Sequence, residues 1–190
     1  MKKIISVLIL LLTFTLVGCS SDNQNPFNLV NHNDNYYIYR KINAVGISYT
    51  TIRDDFIEGK ISYYIFKNPQ DLGRKVYWDS RLSTEYKYEY YPENGYWIRT
   101  IGEDHSSNNG VDLWDIDNYT LDGYVYKLKD SIDAGDTYFC EVWYSEGKVH
   151  RTLKSYARAG GYTYNMTWTE VYSKFGEEFN LTLPTIYQNG

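Results

Sequence analysis

The sequence predicts a mainly β, antiparallel fold with a few short helices, and three observations carry that prediction. Apolar and polar residues alternate with a period of two over short runs, the pattern of half-buried strands. Turn-forming residues punctuate those runs at hairpin spacing, and each turn needs the residue types found there. Aromatic residues make up 18% of the chain, with 22 Tyr, 7 Phe and 5 Trp, and such rings fit a pleated surface better than a helix.

In chain order, Val45, Ile47, Tyr49 and Thr51 share one parity against Gly46, Ser48 and Thr50, which predicts a strand over 45–51. A hairpin follows: Asp55-Phe56-Ile57, a Glu58-Gly59 turn, then Lys60 to Phe66, ended by Asn68-Pro69. A second is built round Pro92-Glu93-Asn94-Gly95, between Tyr86 to Tyr91 and Tyr96 to Ile101. Proline sets φ at the turn entry, and Gly95 takes the positive φ that closes it. A third pairs Tyr138 to Tyr144 with Lys148 to Leu153 through Ser145-Glu146-Gly147. The last predicted strands are Tyr162 to Ser173 and Glu178 to Leu183, joined by Lys174-Phe175-Gly176-Glu177. Helical signals are sparse: residues 28–42, 112–119 and 126–132 have room for a few turns each, none with amphipathic length.

Ahead of this body lies a leader with three parts: Lys2-Lys3, an apolar stretch from Ile4 to Val17, and small residues before a Cys. The order is that of a secretory signal, and the stretch falls short of the ~20 apolar residues a spanning helix needs. Leu16-Val17-Gly18-Cys19 resembles the bacterial lipobox, which directs a diacylglyceryl group, palmitate among its acyl chains, onto the Cys thiol before cleavage. The resemblance implies a signal peptide over 1–18, lipidation of Cys19 and an extracytoplasmic lipoprotein held on the cell membrane or the outer membrane. An ordinary signal peptide, or an uncleaved anchor, with an accidental Cys is the competing reading. Two or three acyl chains hold a protein firmly where one does so only marginally.

Removing residues 1–18 leaves 172 residues and moves the formal charge from −5 to −7. An acidic balance without a Lys/Arg block argues against nucleic acid and against electrostatic docking on anionic headgroups. With Cys19 acylated, Cys140 stands alone, so no intrachain disulfide forms and a buried inert thiol is expected. From Ser20 to about Asn35 the composition is polar and Asn-rich, which reads as a tether over 19–35. Phe27, Leu29 and Val30 interrupt it as a short element able to dock. A single β-rich domain over 36–190 follows.

The C-terminal third carries a further resemblance. Residues 141–149, then Thr167-Trp168, Lys174-Phe175-Gly176 and Phe179-Asn180-Leu181-Thr182-Leu183-Pro184 resemble the closing strands of the lipoprotein-carrier superfamily, the group of LolA, LolB, RseB and the LppX-type lipoproteins. That likeness implies a strongly curved antiparallel sheet or half-open barrel whose interior holds acyl chains, with helices plugging its mouth. Since 28–42 is a poor match to the early helix of those carriers, a β-sandwich or a lipocalin-like barrel is the alternative. The implied cavity is lined by Ile47, Tyr49, Ile61, Tyr63, Ile65, Tyr88, Ile98, Val142 and Trp143. Among the aromatics, Tyr49, Tyr63, Tyr88, Trp97 and Trp143 are the candidate ligand-binding residues, and a lipid or other apolar small molecule is the candidate ligand. The alternative is a surface interaction module that uses a Tyr-rich sheet face to meet a protein partner.

Catalytic chemistry leaves no signature. The three His, at 32, 105 and 150, belong to no metalloprotease, nucleophile-elbow or phosphate-loop motif. No catalytic residue, cofactor or enzymatic activity is therefore expected. Asp104, Ser106, Asn108, Asp112, Asp115, Asp117 and Asp122 supply the hard oxygens calcium takes. They miss the EF-hand register, because Asn109 stands where Gly is needed and Asp115 where Glu is needed. A solvated acidic loop is expected instead, with a calcium-stabilised domain as the minor alternative. Replacing Cys19→Ala should move the protein from the membrane pellet to the soluble fraction, and retention in the pellet on fractionation would refute the lipid anchor.

Overall fold

The structure, a computed structural model, describes residues 24–45, 49–102 and 111–190. Twelve strands form one sheet in the order β12-β6-β5-β4-β3-β2-β1-β11-β10-β9-β8-β7. The strands are β1 (Asn35–Val45), β2 (Tyr49–Glu58), β3 (Ile61–Phe66), β4 (Lys75–Asp79), β5 (Tyr86–Tyr90) and β6 (Trp97–Ile101). They continue as β7 (Tyr119–Asp122), β8 (Val125–Leu128), β9 (Thr137–Ser145), β10 (Lys148–Ala159), β11 (Tyr162–Ser173) and β12 (Gln188–Asn189). All neighbours pair antiparallel except β12, which adds parallel to β6. Two meanders, β1 to β6 and β7 to β11, meet where β1 pairs β11, with Arg40 opposite Glu170.

The expected mainly β, antiparallel class is found, but the strongly curved or half-barrel form is not. The sheet stays open and is not strongly curled, because its edge strands β7 and β12 lie at opposite ends of the order. There is one sheet, so the sandwich and the lipocalin-like barrel do not apply either. Short edge strands, of 4 and 2 residues, limit the unpaired backbone offered to another chain.

Several elements differ from the sequence reading for identifiable reasons. Residues 35–45, which overlap the span 28–42 read as helix-permissive, form β1, and its Tyr and Ile content explains the preference. Of the strand predicted over 45–51, Val45 ends β1 and Tyr49 to Thr51 open β2, which pairs antiparallel with β1, while residues 46–48 lie outside the described residues. In the β2–β3 hairpin Glu58 pairs with Ile61, so the turn is Gly59-Lys60, one residue later than predicted, with Gly59 at a φ of 56°. The β9–β10 turn lies where expected, and Glu146-Gly147 take φ of 51° and 75°, the twist a tight hairpin requires. Within 112–119 only a 3-10 turn forms, Ile116–Asn118, and 125–128 is strand β8 rather than helix.

Residues 178–183 form no strand. Asn180 has a φ of 54°, and the carboxylate of Glu58 receives the backbone N–H groups of Phe179, Asn180 and Leu181 at 2.9, 3.1 and 2.7 Å. Those hydrogen bonds hold the Glu58 carboxyl below its ordinary range. The segment is thereby a strap rather than a strand. It leaves β11, sets Phe179 against Phe56 of β2 and Tyr187 against Tyr88 of β5, and ends as β12 beside β6.

The two sheet faces differ. On one, Ile38, Val142, Val149 and Tyr172 are buried together with Cys140 and Tyr119. Helix α1 (Pro26–Asn31) covers them. Asn25 caps α1 by accepting the Phe27 N–H at 3.0 Å, and Pro26 opens it. Six residues are too few for a helix to stand alone, so packing holds it. The Phe27 ring lies 4.9, 5.1 and 6.0 Å from the rings of Tyr119, Tyr126 and Trp114. Phe27, Leu29 and Val30 thus do dock, as the sequence allowed. Cys140 is buried, with its Sγ 3.3 Å from the Tyr119 hydroxyl. Burial pushes its thiol pKa up, away from the reactive thiolate.

No helix of the described residues is long and apolar enough to cross a membrane. Phe27→Ala removes the ring at the centre of this cluster, 1% exposed. It should cost about 3–5 kcal/mol of stability in urea denaturation, and a loss under about 1 kcal/mol would show that α1 is not part of the core.

Candidate functional site

Directly opposed residues of an antiparallel pair share a face, which places the predicted binding residues. Tyr63, Tyr88, Trp97 and Trp143 lie on the face away from α1. Tyr63 stacks on Tyr77 at 4.2 Å and 15°, and Tyr77 leads to Trp97 at 5.5 Å. Tyr37, Phe56 and Tyr90 extend this ladder, with neighbouring centroids 5.2 to 6.1 Å apart. Burial pushes the Tyr63 hydroxyl up to about 12. Tyr88 is buried beneath Tyr187 of the strap. Trp143 belongs to a separate pair, stacked on His150 at 5.1 Å and 7°.

Tyr49 opens β2 opposite Ala44, in register with the other face, and its side chain lies outside the described residues. The five residues therefore do not converge on one cavity. Val142 and Trp143 are sequence neighbours in β9, so they cannot line the same interior. The closest rings of the ladder turn their faces to one another, and the pairs serve cross-strand packing.

The other face carries a continuous row of buried charged groups. Proceeding across β2, β1, β11 and β10, the row reads Arg53, Asp55, Arg40, Glu170, Arg151. Arg53 Nε lies 2.8 Å from Asp55 Oδ1, and Arg40 Nη1 lies 2.9 Å from Asp55 Oδ2. Arg40 Nε and Arg151 Nε reach the two oxygens of Glu170 at 2.7 and 2.6 Å. Tyr172 donates its hydroxyl to Glu170 at 2.8 Å. Asp55 and Glu170 are 0% and 2% exposed, so both carboxylates are out of water. Each end of the row rests on aromatic rings: Arg53 lies 4.4 Å from Tyr64, and Arg151 lies 4.7 Å from Trp114.

Electrostatics separate the two acids. Burial alone would raise the Glu170 carboxyl, but Arg151 and Arg40 outweigh it and hold it at about 2, helped by hydrogen bonds from Arg151 and Tyr172. Burial pushes Asp55 up, and Arg40 and Arg53 offset only part of that. Arg151 is held well above its ordinary value, since Glu170 overcomes the burial penalty on its charge.

Immediately beyond this row the face opens into a cleft of about 620 Å³. The order along each strand explains it. In β10, Val149 belongs to the core, Arg151 to the row, and Leu153 and Ser155 to the cleft; in β11 the sequence is Tyr172, Glu170, Trp168. Val111 and Leu113 form one wall and the turn at 134–137 another, while Arg40, Arg151 and Glu170 make the floor. At the mouth Asp136 faces Arg158 at 3.6 Å, both exposed. The indole Nε1 of Trp168 is buried without a hydrogen-bond acceptor among the described residues.

Cys19 and the oxygen-bearing positions Asp104, Ser106 and Asn108 lie outside the described residues. Among the described residues no group of three or more metal-ligating side chains is assembled. Asp112 and Asp115 instead accept N–H groups of their own turns, from Trp114 and Asp117 at 2.8 and 3.0 Å, and Asp122 pairs with Lys127 at 2.7 Å.

Sequence reasoning passed over Arg40, Arg151, Glu170 and Trp168. A signal was present: Ile38-x-Arg40-x-Ile42, Val149-x-Arg151-x-Leu153 and Trp168-x-Glu170-x-Tyr172 each put a charge at the inward parity of an apolar strand. No protein-family model matches the chain, and no curated protein matches it either.

Glu170→Gln strips both arginines of their shared counter-charge and should cost about 3–5 kcal/mol at neutral pH. A carboxylate held below its ordinary value adds stability that is full above its unfolded pKa and fades as pH falls toward the folded one. The gap between wild type and Glu170→Gln in urea melts should therefore narrow from pH 5 downward, with Asp55 common to both proteins. A gap constant with pH would remove Glu170 from the network.

Proposed function

We propose that this protein is a membrane-tethered extracytoplasmic binding module that holds a small amphipathic ligand in the cleft on the core face of its sheet, without catalysis. The observation that carries this reading is the cleft: a concavity of about 620 Å³ with Val111, Leu113, Leu153 and Trp168 on its walls and three ionised groups on its floor. Ligand sites are typically mostly apolar concavities of about 300–1,000 Å³ with a few polar groups that fix orientation. It takes the place of the half-barrel interior implied by the carrier resemblance. The lipidated Cys19 and the polar stretch after it supply the tether.

The floor argues for binding over chemistry. A carboxyl held at about 2 by two arginines is poorly matched to proton transfer near neutral pH. The alternative, an interaction module using the aromatic face, has the half-buried ladder in its favour. Against it stand the mutual stacking of the closest rings and the strap that lies over Phe56 and Tyr88.

A neutral apolar dye, N-phenyl-1-naphthylamine, tests the reading on the full-length Cys19→Ala protein. Its fluorescence should rise on binding, and Leu113→Trp, which fills one wall, should weaken that binding at least tenfold while leaving the fold intact by circular dichroism. No rise, or a rise indifferent to Leu113→Trp, would defeat it.

A further inference from the structure

The charges on the floor do not cancel. The row holds three arginines against two carboxylates on a face largely removed from water, leaving one positive charge in excess. At the cleft mouth the exposed pair Asp136 and Arg158 adds no net charge. Arg151 spends its Nε on Glu170. Arg151 also lines the cleft. Trp168, on the adjoining wall, brings a buried indole N–H that lacks an acceptor among the described residues. An indole donor without an acceptor among the described residues and a row with one arginine in excess thus border the same cleft.

Resting on the reading of the cleft as a ligand site, we propose that it selects a monoanionic amphiphile, a carboxylate on an apolar body, with the headgroup at Arg151 and the body against Leu113, Leu153 and Trp168. The guanidinium fork matches a carboxylate with two parallel donors. One negative charge balances the row, whereas a phosphomonoester, at about −1.5 to −2 near neutral pH, would reverse its sign beside Glu170 and Asp55. A cationic headgroup would meet Arg40 and Arg151 directly. A neutral one would leave the excess charge as it is.

Competition against N-phenyl-1-naphthylamine on the full-length Cys19→Ala protein tests this with four probes of equal chain length: octanoate, octyl phosphate, octan-1-ol and octylammonium. Octanoate should displace the dye at a concentration at least tenfold lower than octanol or octylammonium, and lower than octyl phosphate. Arg151→Lys, which keeps the charge but loses the fork, should reduce the advantage of octanoate over octanol at least threefold. The wild-type series stands without that variant should it fail to fold. Octanoate no better than octanol, with the dye still bound, overturns the charge selection and leaves the cleft reading in place. Octyl phosphate equal to or tighter than octanoate overturns the monoanion assignment. Failure of the dye itself to bind overturns both.

Discussion

The contact on which the rest depends is the pairing of β1 with β11, and within it the buried couple Arg40 and Glu170. All other neighbours in the sheet up to β6 on one side and β7 on the other are consecutive in sequence, so local hairpins build each meander by itself. Among the strand pairings, this seam joins residues more than a hundred positions apart. Its register is pinned because side chains alternate with a period of two, and a slip by one residue would send Arg40 and Glu170 to opposite faces. Either charge left alone in the interior is far costlier than the pair is stabilising.

From that seam follows the division of labour between the faces. Long central strands alternate strictly, so Ile38, Val149 and Tyr172 gather under α1 while Tyr37, Tyr39 and His150 look the other way. A sheet with no second layer over much of that outer face must stabilise it by its own side chains. Cross-strand aromatic pairs do this, since a tyrosine ring packs while its hydroxyl stays wet. The abundance of tyrosine is accounted for in large part by this demand. The strap completes the arrangement: Glu58 captures three backbone N–H groups that no strand partner takes, and Phe179 and Tyr187 add rings to the ladder.

The cleft is a by-product of the same alternation. Apolar residues at the inward parity meet α1 and the Trp114 turn at one end of the strands, but the charged row interrupts them midway. Beyond the row the covering segment changes from α1 to residues 111–113 and 134–137, and the cleft lies between them. A packed core on one side and a charged floor on the other define what fits there, namely an apolar body with a polar end.

Much of this was written locally. Glu146-Gly147 and Pro92 to Gly95 specify hairpins through backbone conformations that few other residues adopt, and the strands beside them were legible from alternation. The leader and Cys19 likewise carry their meaning in a contiguous stretch of chain. What the sequence could not decide is anything that depends on which distant strands meet. Residues 35–45 and 178–183 show it in opposite directions: one pairs on both sides and becomes β1, while the other finds a carboxylate and becomes a strap. Of the aromatic residues predicted to bind, Trp143 was set apart because β9 lies across the β1–β11 seam from β3 to β6, and Tyr88 was covered by the strap. The charged floor appeared only when β2, β1, β11 and β10 came side by side, because an ion pair across strands is a property of register, and register is set by tertiary contact.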